Sequence, residues 1–326
     1  MPKLTVIVPN YNHERFLAKR LESILNQTFQ DFELILLDDC STDNSRLILS
    51  QSVRDHRVRI EFNDVNSGST FKQWNKGVQL AQGKYIWIAE SDDYADVHLL
   101  ERLVPLLDND AKAAFAYCRA WCVTAKGPDG FVDRFYSNLH ESRWTADFRA
   151  DGHDECRNYL VQCNTITNTS GVVFRRAIFE QVGGADESLR LCGDWKLWAA
   201  MALTGKIAYL AEPLNYLRFH DTTVRSRSTR DAVDAAESLC VIRWILERVT
   251  PEPALLAKVC KKQATSWVPA LIAPRVPVER KRAILRDVRA IDPHPVRSAL
   301  RPALTTVQLK FMRHWRELRS RPSAGS

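Results

Sequence analysis

A chain of 326 residues, 45% hydrophobic and 26% charged, has the composition of a folded globular protein with enough apolar material for one large domain or two. No run nears the roughly 18 apolar residues of a membrane-spanning helix, and the eight cysteines form neither CxxC pairs nor zinc-ligand spacings, which fits reduced thiols in a cytoplasmic protein. The net charge of +7 hides two unlike regions: from Pro253 to Ser326 sixteen Lys and Arg stand against four Asp and Glu, a net of +12, so the preceding residues carry −5.

In chain order, Leu4–Val8 reads as an apolar strand, and Pro9, Asn10, Tyr11 and Asn12 as the turn after it. The apolar run is too soon broken to be a signal peptide. Phe16, Leu17, Leu21, Ile24 and Leu25 fall at helical spacing, which predicts an amphipathic helix over Glu14–Leu25. Phe32–Leu37 is a second strand, ending in Asp38 and Asp39; Ser41, Thr42 and Asp43 offer N-caps for a helix reaching about Val53. Val58–Phe62 is a third strand, Asn66–Ser69 a loop, and Phe71–Ala81 a helix stopped at Gly83.

The stretch Lys84–Tyr94, KYIWIAESDDY, then drives a run of apolar residues straight into Glu90, Ser91, Asp92 and Asp93. Such a run suits a buried central strand. Strands alternating with helices predict an α/β fold with a mostly parallel sheet and right-handed crossovers. Ligands of such sheets bind beyond the carboxyl ends of the strands, where both acidic groups would lie. Crowded carboxylates call for a countercharge, and oxygen ligands suit Mg²⁺ or Mn²⁺. A solvated turn capping the helix near Asp96 is the plainer account of the same residues.

Val97–Leu107 reads as a helix and Ala113–Val123 as a long strand on which Cys118 and Cys122 both face the core. Gly127–Gly130 reads as a turn with Phe131–Tyr136 as its hairpin partner, and Tyr136–Asp154 as a polar loop whose His140 and His153 are solvated. Asn164–Gly171, NTITNTSG, gathers short polar side chains before the strand Val172–Phe174. Gly193 and Asp194 precede a helix whose apolar face carries Trp195, Leu197, Trp198, Met201 and Ala202, so Asp194 is at least an N-cap. Lys206–His220 alternates as a strand, and Arg225, Arg227 and Arg230 follow in a polar run suited to a diphosphate or to a solvated hinge. Helices are predicted over Asp231–Arg248, Pro253–Val268, Pro277–Ala290 and Ser298–Arg319. The last is basic and amphipathic, which suits an anionic membrane surface, a second subunit or the body of the chain itself. No nucleic-acid motif is present.

Taken together, VIVPNYNHERFLAKRLESILNQTFQDFELILLDDCSTDNS, NSGSTFKQWNKGVQLAQGKYIWIAESDDY, NTSGVVFRR, VGGADESLRLCGDWKLW and EPLNYLRFH resemble, in this order, the family-2 glycosyltransferases of GT-A fold. The resemblance runs from about Lys3 to His220. It implies a GT-A-type, Rossmann-like mixed and mostly parallel sheet flanked by helices, with a C-terminal helical region. Residues 1–228 would be the catalytic domain, its donor half about 1–110 and its acceptor half about 111–228, and 229–326 the basic helical region. The implied reaction is inverting transfer of a sugar from a nucleotide-diphosphate donor to a carbohydrate or lipid-linked acceptor hydroxyl, with Mn²⁺ or Mg²⁺, in bacterial cell-surface polysaccharide or glycolipid synthesis.

Residue by residue, the resemblance puts Pro9, Tyr11 and Asp39 at the nucleoside, with Asp39 accepting a ring N–H and ranked above Asp38. Glu90-Ser91-Asp92 stands for the DxD signature with Glu in place of its first Asp, so Glu90 and Ser91 would meet the donor. Asp92, Asp93 and His220 would serve the metal. Asp194 would be the catalytic base, with Gly193 where the family's motif has Glu. Ser170 and Trp195 would border the acceptor, and Arg225 and Arg227 the phosphates. The altered Glu90 and Gly193 also allow a catalytically silent sugar-nucleotide-binding module. The implied location is cytoplasmic, or peripheral on the inner face of the membrane.

Overall fold

The computed structural model describes residues 1–220 and 231–300. Arg225, Arg227 and most of the last basic helix lie outside the described residues. The chain divides into two compact units, Met1–Thr223 and Val224–Ser326.

The first unit opens with β1 (Leu4–Asn10), α1 (Glu14–Leu25), β2 (Phe32–Asp38), α2 (Ser45–Gln51), β3 (Val58–Phe62), α3 (Thr70–Leu80) and β4 (Tyr85–Ile88). It continues through β5 (Tyr94–Ala95), α4 (Leu99–Asp108), β6 (Ala113–Thr124), β7 (Gly127–Phe131), β8 (Phe148–Asp151) and α5 (Gly152–Glu155). It closes with β9 (Val172–Arg175), α6 (Arg176–Gln181), α7 (Gly193–Ala202) and β10 (Lys206–Arg218). The ten strands form one sheet in the order β3-β2-β1-β4-β9-β6-β10-β5, with β7 on β6 and β8 on β10. The β1–β2, β1–β4, β2–β3 and β6–β10 pairings are parallel, whereas β9 runs antiparallel between β4 and β6. The sheet is therefore mixed and mostly parallel, as the alternation of strands and helices predicts.

Every residue of β1 and β4 is buried, because central strands of such a sheet are covered by helices on both faces. The edge strand β3 keeps no fully buried residue. Leu17, Leu21 and Ile24 of α1 and Leu99, Leu103 and Leu107 of α4 pack against Leu4, Val6, Leu34, Leu36 and Trp87 in one core cluster.

Two local expectations are corrected. Pro9 is not in a turn: it is buried in β1 opposite Leu37. The pairing of β1 with β4 has ended at Ile7 opposite Ile88, so on that side the missing N–H of Pro9 leaves no ladder bond unmade. The β6 hairpin turns earlier than its Gly-Pro-Asp-Gly run suggests. The Thr124 hydroxyl bonds the carbonyl of Gly127 and takes the N–H of Lys126, so Gly127–Phe131 is already the returning strand. Residues Val132–Phe135 form a 3₁₀ turn in place of the expected strand.

The second unit contains α8 (Val233–Leu246), α9 (Pro253–Ile272) and α10 (Val278–Ile291). Ile242, Ile245, Val259, Ala264, Ile284 and Val288 are buried within it. Asp287, 1% exposed, is paired by Arg243 across the α8–α10 contact at 3.0 Å.

Gly83 sets how closely the entry to β4 lies on β1. A Cβ there would fall 2.5 Å from the Thr5 nitrogen and 2.6 Å from the Leu4 carbonyl carbon, both backbone atoms with no room to give. Gly83→Ala should therefore cost about 1–3 kcal/mol, seen as a lower urea midpoint at unchanged slope. An unaltered midpoint would show that β4 can slide.

Candidate active site

Beyond Ile88 the chain folds into a tight turn, closed by the Asp93 N–H on the Glu90 carbonyl at 3.2 Å. This turn carries three carboxylates, and each has a different surrounding. Glu90 accepts the indole N–H of Trp74 at 2.7 Å. Burial, then the neighbouring Asp92, pushes its carboxyl up to about 8. Asp93 is 2% exposed and accepts the Arg218 backbone N–H at 3.0 Å; burial and Asp92 raise it to about 7. Asp92 is partly exposed, with Oδ2 3.0 Å from His220 Nε2. Burial alone would raise Asp92, but the His220 hydrogen bond and the charges of His13 and His220 outweigh it and hold the group below the usual range.

Countercharge comes from beneath and beside. Arg20 of α1 is fully buried and donates Nε to the Glu90 carbonyl at 2.8 Å. Burial lowers its guanidinium to about 10, against the pull of Asp93, Asp92 and Glu90. Arg218 donates Nη1 to the Asp92 carbonyl at 2.8 Å and lies 4.5 Å over the Tyr94 ring.

His13, which no motif in the sequence marks, joins this group. Its Nδ1 is 2.7 Å from the Ser91 hydroxyl, and burial holds the ring below the ordinary imidazole value. Ligand atoms of His13, Asp92 and His220 all lie within 4.8 Å of one another, a separation that one divalent ion can span. Asp93 does not join them, because its carboxylate is turned inward. The signal for His13 was positional: it follows the first strand of a parallel sheet, on the edge where the acid turn emerges.

On the other side of β1, Asp39 is 5% exposed and held by the chain. Its Oδ1 accepts from Asn63 at 2.7 Å, the Ser67 N–H at 2.8 Å and Gln73 at 3.0 Å, whereas among the described residues Oδ2 takes only the Ser67 hydroxyl at 2.7 Å. With one donor against three at Oδ1, Oδ2 retains capacity for another. Asp38 is wholly buried and clamps Asn10, the Ser41 N–H and Arg46, a strand-end fastening with no face for a ligand. Tyr11, the residue after β1, is 45% exposed.

Asp194 lies in the first turn of α7, whose N-cap is Cys192, so it is not the cap itself. Asn164 donates to Oδ2 at 3.0 Å and the Trp195 N–H to Oδ1 at 2.7 Å. Ser170 is fully buried, with its hydroxyl accepting the Glu90 N–H at 3.1 Å and its carbonyl accepting the Trp87 indole at 2.7 Å. It props the acid turn and presents nothing to an acceptor. Trp195 is likewise core, 4% exposed with its indole on the Leu160 carbonyl, and offers no face to a sugar ring.

One helix connects these places. From α3, Gln73 reaches Asp39, Trp74 reaches Glu90, and the Phe71 ring lies where a Cβ at Gly193 would fall, 2.5 Å away. Phe71 and Trp74 stand edge to face at 5.0 Å, so the acid turn and the start of α7 flank one pair of rings.

The model of glycosyl transferase family 2 matches residues 5–183. Glycosyltransferase GlyG of Streptococcus pneumoniae is 34% identical over 47% of this chain and 45% of its own length. The poly(ribitol-phosphate) β-N-acetylglucosaminyltransferase TarS of Staphylococcus aureus is 32% identical over 33% of this chain and 19% of its length. The chain spans 65%, 45% and 41% of the length of three curated relatives it matches. The structure of TarS residues 1–349 in complex with UDP-GlcNAc superposes with a TM-score of 0.69, covering 92% of this chain and 89% of that one at 16% identity. A mannosyltransferase of Pyrobaculum calidifontis, in complex with GDP-Man and Mn²⁺, superposes at 0.56, covering 95% of this chain and 80% of that one at 16% identity. The GT-A fold is thereby established for the chain.

Glu90 holds its proton in the folded protein up to about pH 8, against 4.5 for an unperturbed group. Between those values the native state binds more protons than the unfolded one, so stability falls as pH rises through the window. Glu90→Gln keeps an acceptor for Trp74 and removes the charge. In EDTA it should melt roughly 5 °C above wild type at pH 8, with the gap closing towards pH 4.5. Parallel pH profiles would clear Glu90 as the source.

Proposed function

The chain belongs to glycosyl transferase family 2, and from that premise we propose that it transfers a sugar from a nucleoside-diphosphate donor to an acceptor hydroxyl, with inversion and the help of a divalent cation, in assembly of a bacterial cell-surface polymer or glycolipid. The observation that carries this reading is the convergence on α3 of Asp39, the acid turn and the start of α7, three places that one donor and one acceptor would have to share.

Each residue has a chemical reason for its part. Tyr11 offers an exposed ring to the nucleoside, and the spare capacity of Asp39 Oδ2 suits a ring N–H. Asp92 would hold a divalent cation, which would supply countercharge for the diphosphate leaving group. Asp194, steadied by Asn164, takes the proton of the acceptor hydroxyl as its oxygen bonds to the anomeric carbon and the bond to the diphosphate breaks, the electron pair leaving with phosphate. One in-line displacement needs no covalent intermediate, so one positioned carboxylate is enough. No helix among the described residues is long and apolar enough to cross a membrane. The C-terminal net charge of +12 suits an anionic lipid surface, where a lipid-linked acceptor would be presented.

Sugar nucleotides of uridine and guanosine, screened with Mn²⁺ for thermal stabilisation, should single out one donor. With that donor, Asp194→Asn should lose about 10²–10⁴-fold in kcat with donor KM little changed, and Asp92→Ala should lose both turnover and cation-dependent donor binding. Donor binding without turnover in wild type would instead favour the silent binding module, and equal turnover in all three proteins would defeat the mechanism.

A further inference from the structure

His13 sits at the N-cap of α1 yet makes no capping hydrogen bond, and caps are the province of Ser, Thr, Asp and Asn. Its ring instead meets the acid turn, with Nδ1 2.7 Å from the hydroxyl of Ser91, which is 1% exposed. If Nδ1–H donates to that hydroxyl, the lone pair is left on Nε2. The rings of His13 and His220 stand edge to face at 5.9 Å, braced by Phe16 at 4.9 Å from His220. A packing role would be served by an apolar ring; an imidazole bonded to a buried serine beside Asp92 is arranged for coordination.

We propose that His13 is a ligand of the divalent cation, forming with Asp92 and His220 a two-histidine, one-carboxylate set that selects a transition cation over Mg²⁺. This rests on the reading above that a cation works at Asp92, and it names the kind of cation. Imidazole nitrogen favours first-row transition ions, with affinity rising from Mn²⁺ to Co²⁺, whereas Mg²⁺ prefers carboxylate and water oxygens. Ser91 is then a positioning residue: by accepting Nδ1–H it fixes the ring's tautomer and orientation.

Mn²⁺ binding to the full chain can be followed by the spin resonance of the free ion, and pulsed measurements on the bound ion count coupled nitrogens. Wild type should show two imidazole nitrogens and release Mn²⁺ to far less Co²⁺ than Mg²⁺. His13→Ala should keep one nitrogen, lose about 100-fold in affinity and discriminate less between Co²⁺ and Mg²⁺; Ser91→Ala should keep both and lose about tenfold. Melting in EDTA checks folding, and His13→Gln replaces His13→Ala if the latter fails to fold. An unchanged nitrogen count and affinity without His13, while Asp92→Ala still abolishes binding, overturns the role of His13 and leaves the cation reading intact. Equal binding in wild type and Asp92→Ala, or none in wild type, removes the cation reading itself.

Discussion

The structure is arranged around a repulsion. Glu90, Asp92 and Asp93 share one tight turn, and carboxylates so close cannot all ionise uncompensated. Arg20 lies beneath the turn, Arg218 flanks it, and His13 and His220 stand before it. Burial then separates the three acids. Glu90 and Asp93 keep their protons to about 8 and about 7, whereas Asp92 is held ionised. The carboxylate left charged is the one beside the histidines. Much of the packing follows from this: α1 must dock so that Arg20 reaches the Glu90 carbonyl, and β10 must run on to Arg218.

Helix α3 acts as a spacer for the same site. Its buried Gln73 and Trp74 hold Asp39 and Glu90 from adjacent positions, so a shift of the helix would disturb both acids together. Gly77, on the same helix, would place a Cβ 2.5 Å from Ile7 of β1, which keeps α3 close to the sheet. Fold and site are thus coupled through contacts of ordinary core type.

The strand–helix alternation up to β4 could be read from the sequence because apolar periodicity is local: the ranges Glu14–Leu25, Val58–Phe62 and Tyr85–Ile88 need no tertiary information. The partner of a side chain is not local. Ser170 and Trp195 have the chemistry of site residues, but the sheet turns Ser170 under the acid turn and the helix turns Trp195 into the core. His13 escaped notice for the opposite reason, since nothing in Asn-Tyr-Asn-His shows that a residue 78 positions away will lie against it. The β6 hairpin is not legible locally, because Gly-Pro-Asp-Gly carries every sign of a turn whereas the Thr124 hydroxyl decides where the chain reverses.

The Phe71 ring fills the space that a side chain at Gly193 would need. The motif that this stretch resembles has Glu at the position of Gly193, and here any Cβ would meet Phe71 ring atoms at 2.5–2.8 Å. A side chain at 193 would therefore need the Phe71 ring to move or be replaced by something smaller. Grafting the motif's Glu onto this scaffold would require a smaller residue or a displaced ring at 71. The gap in the motif is thus matched by its surroundings: what position 193 can carry is set by a ring 122 residues away in the sequence.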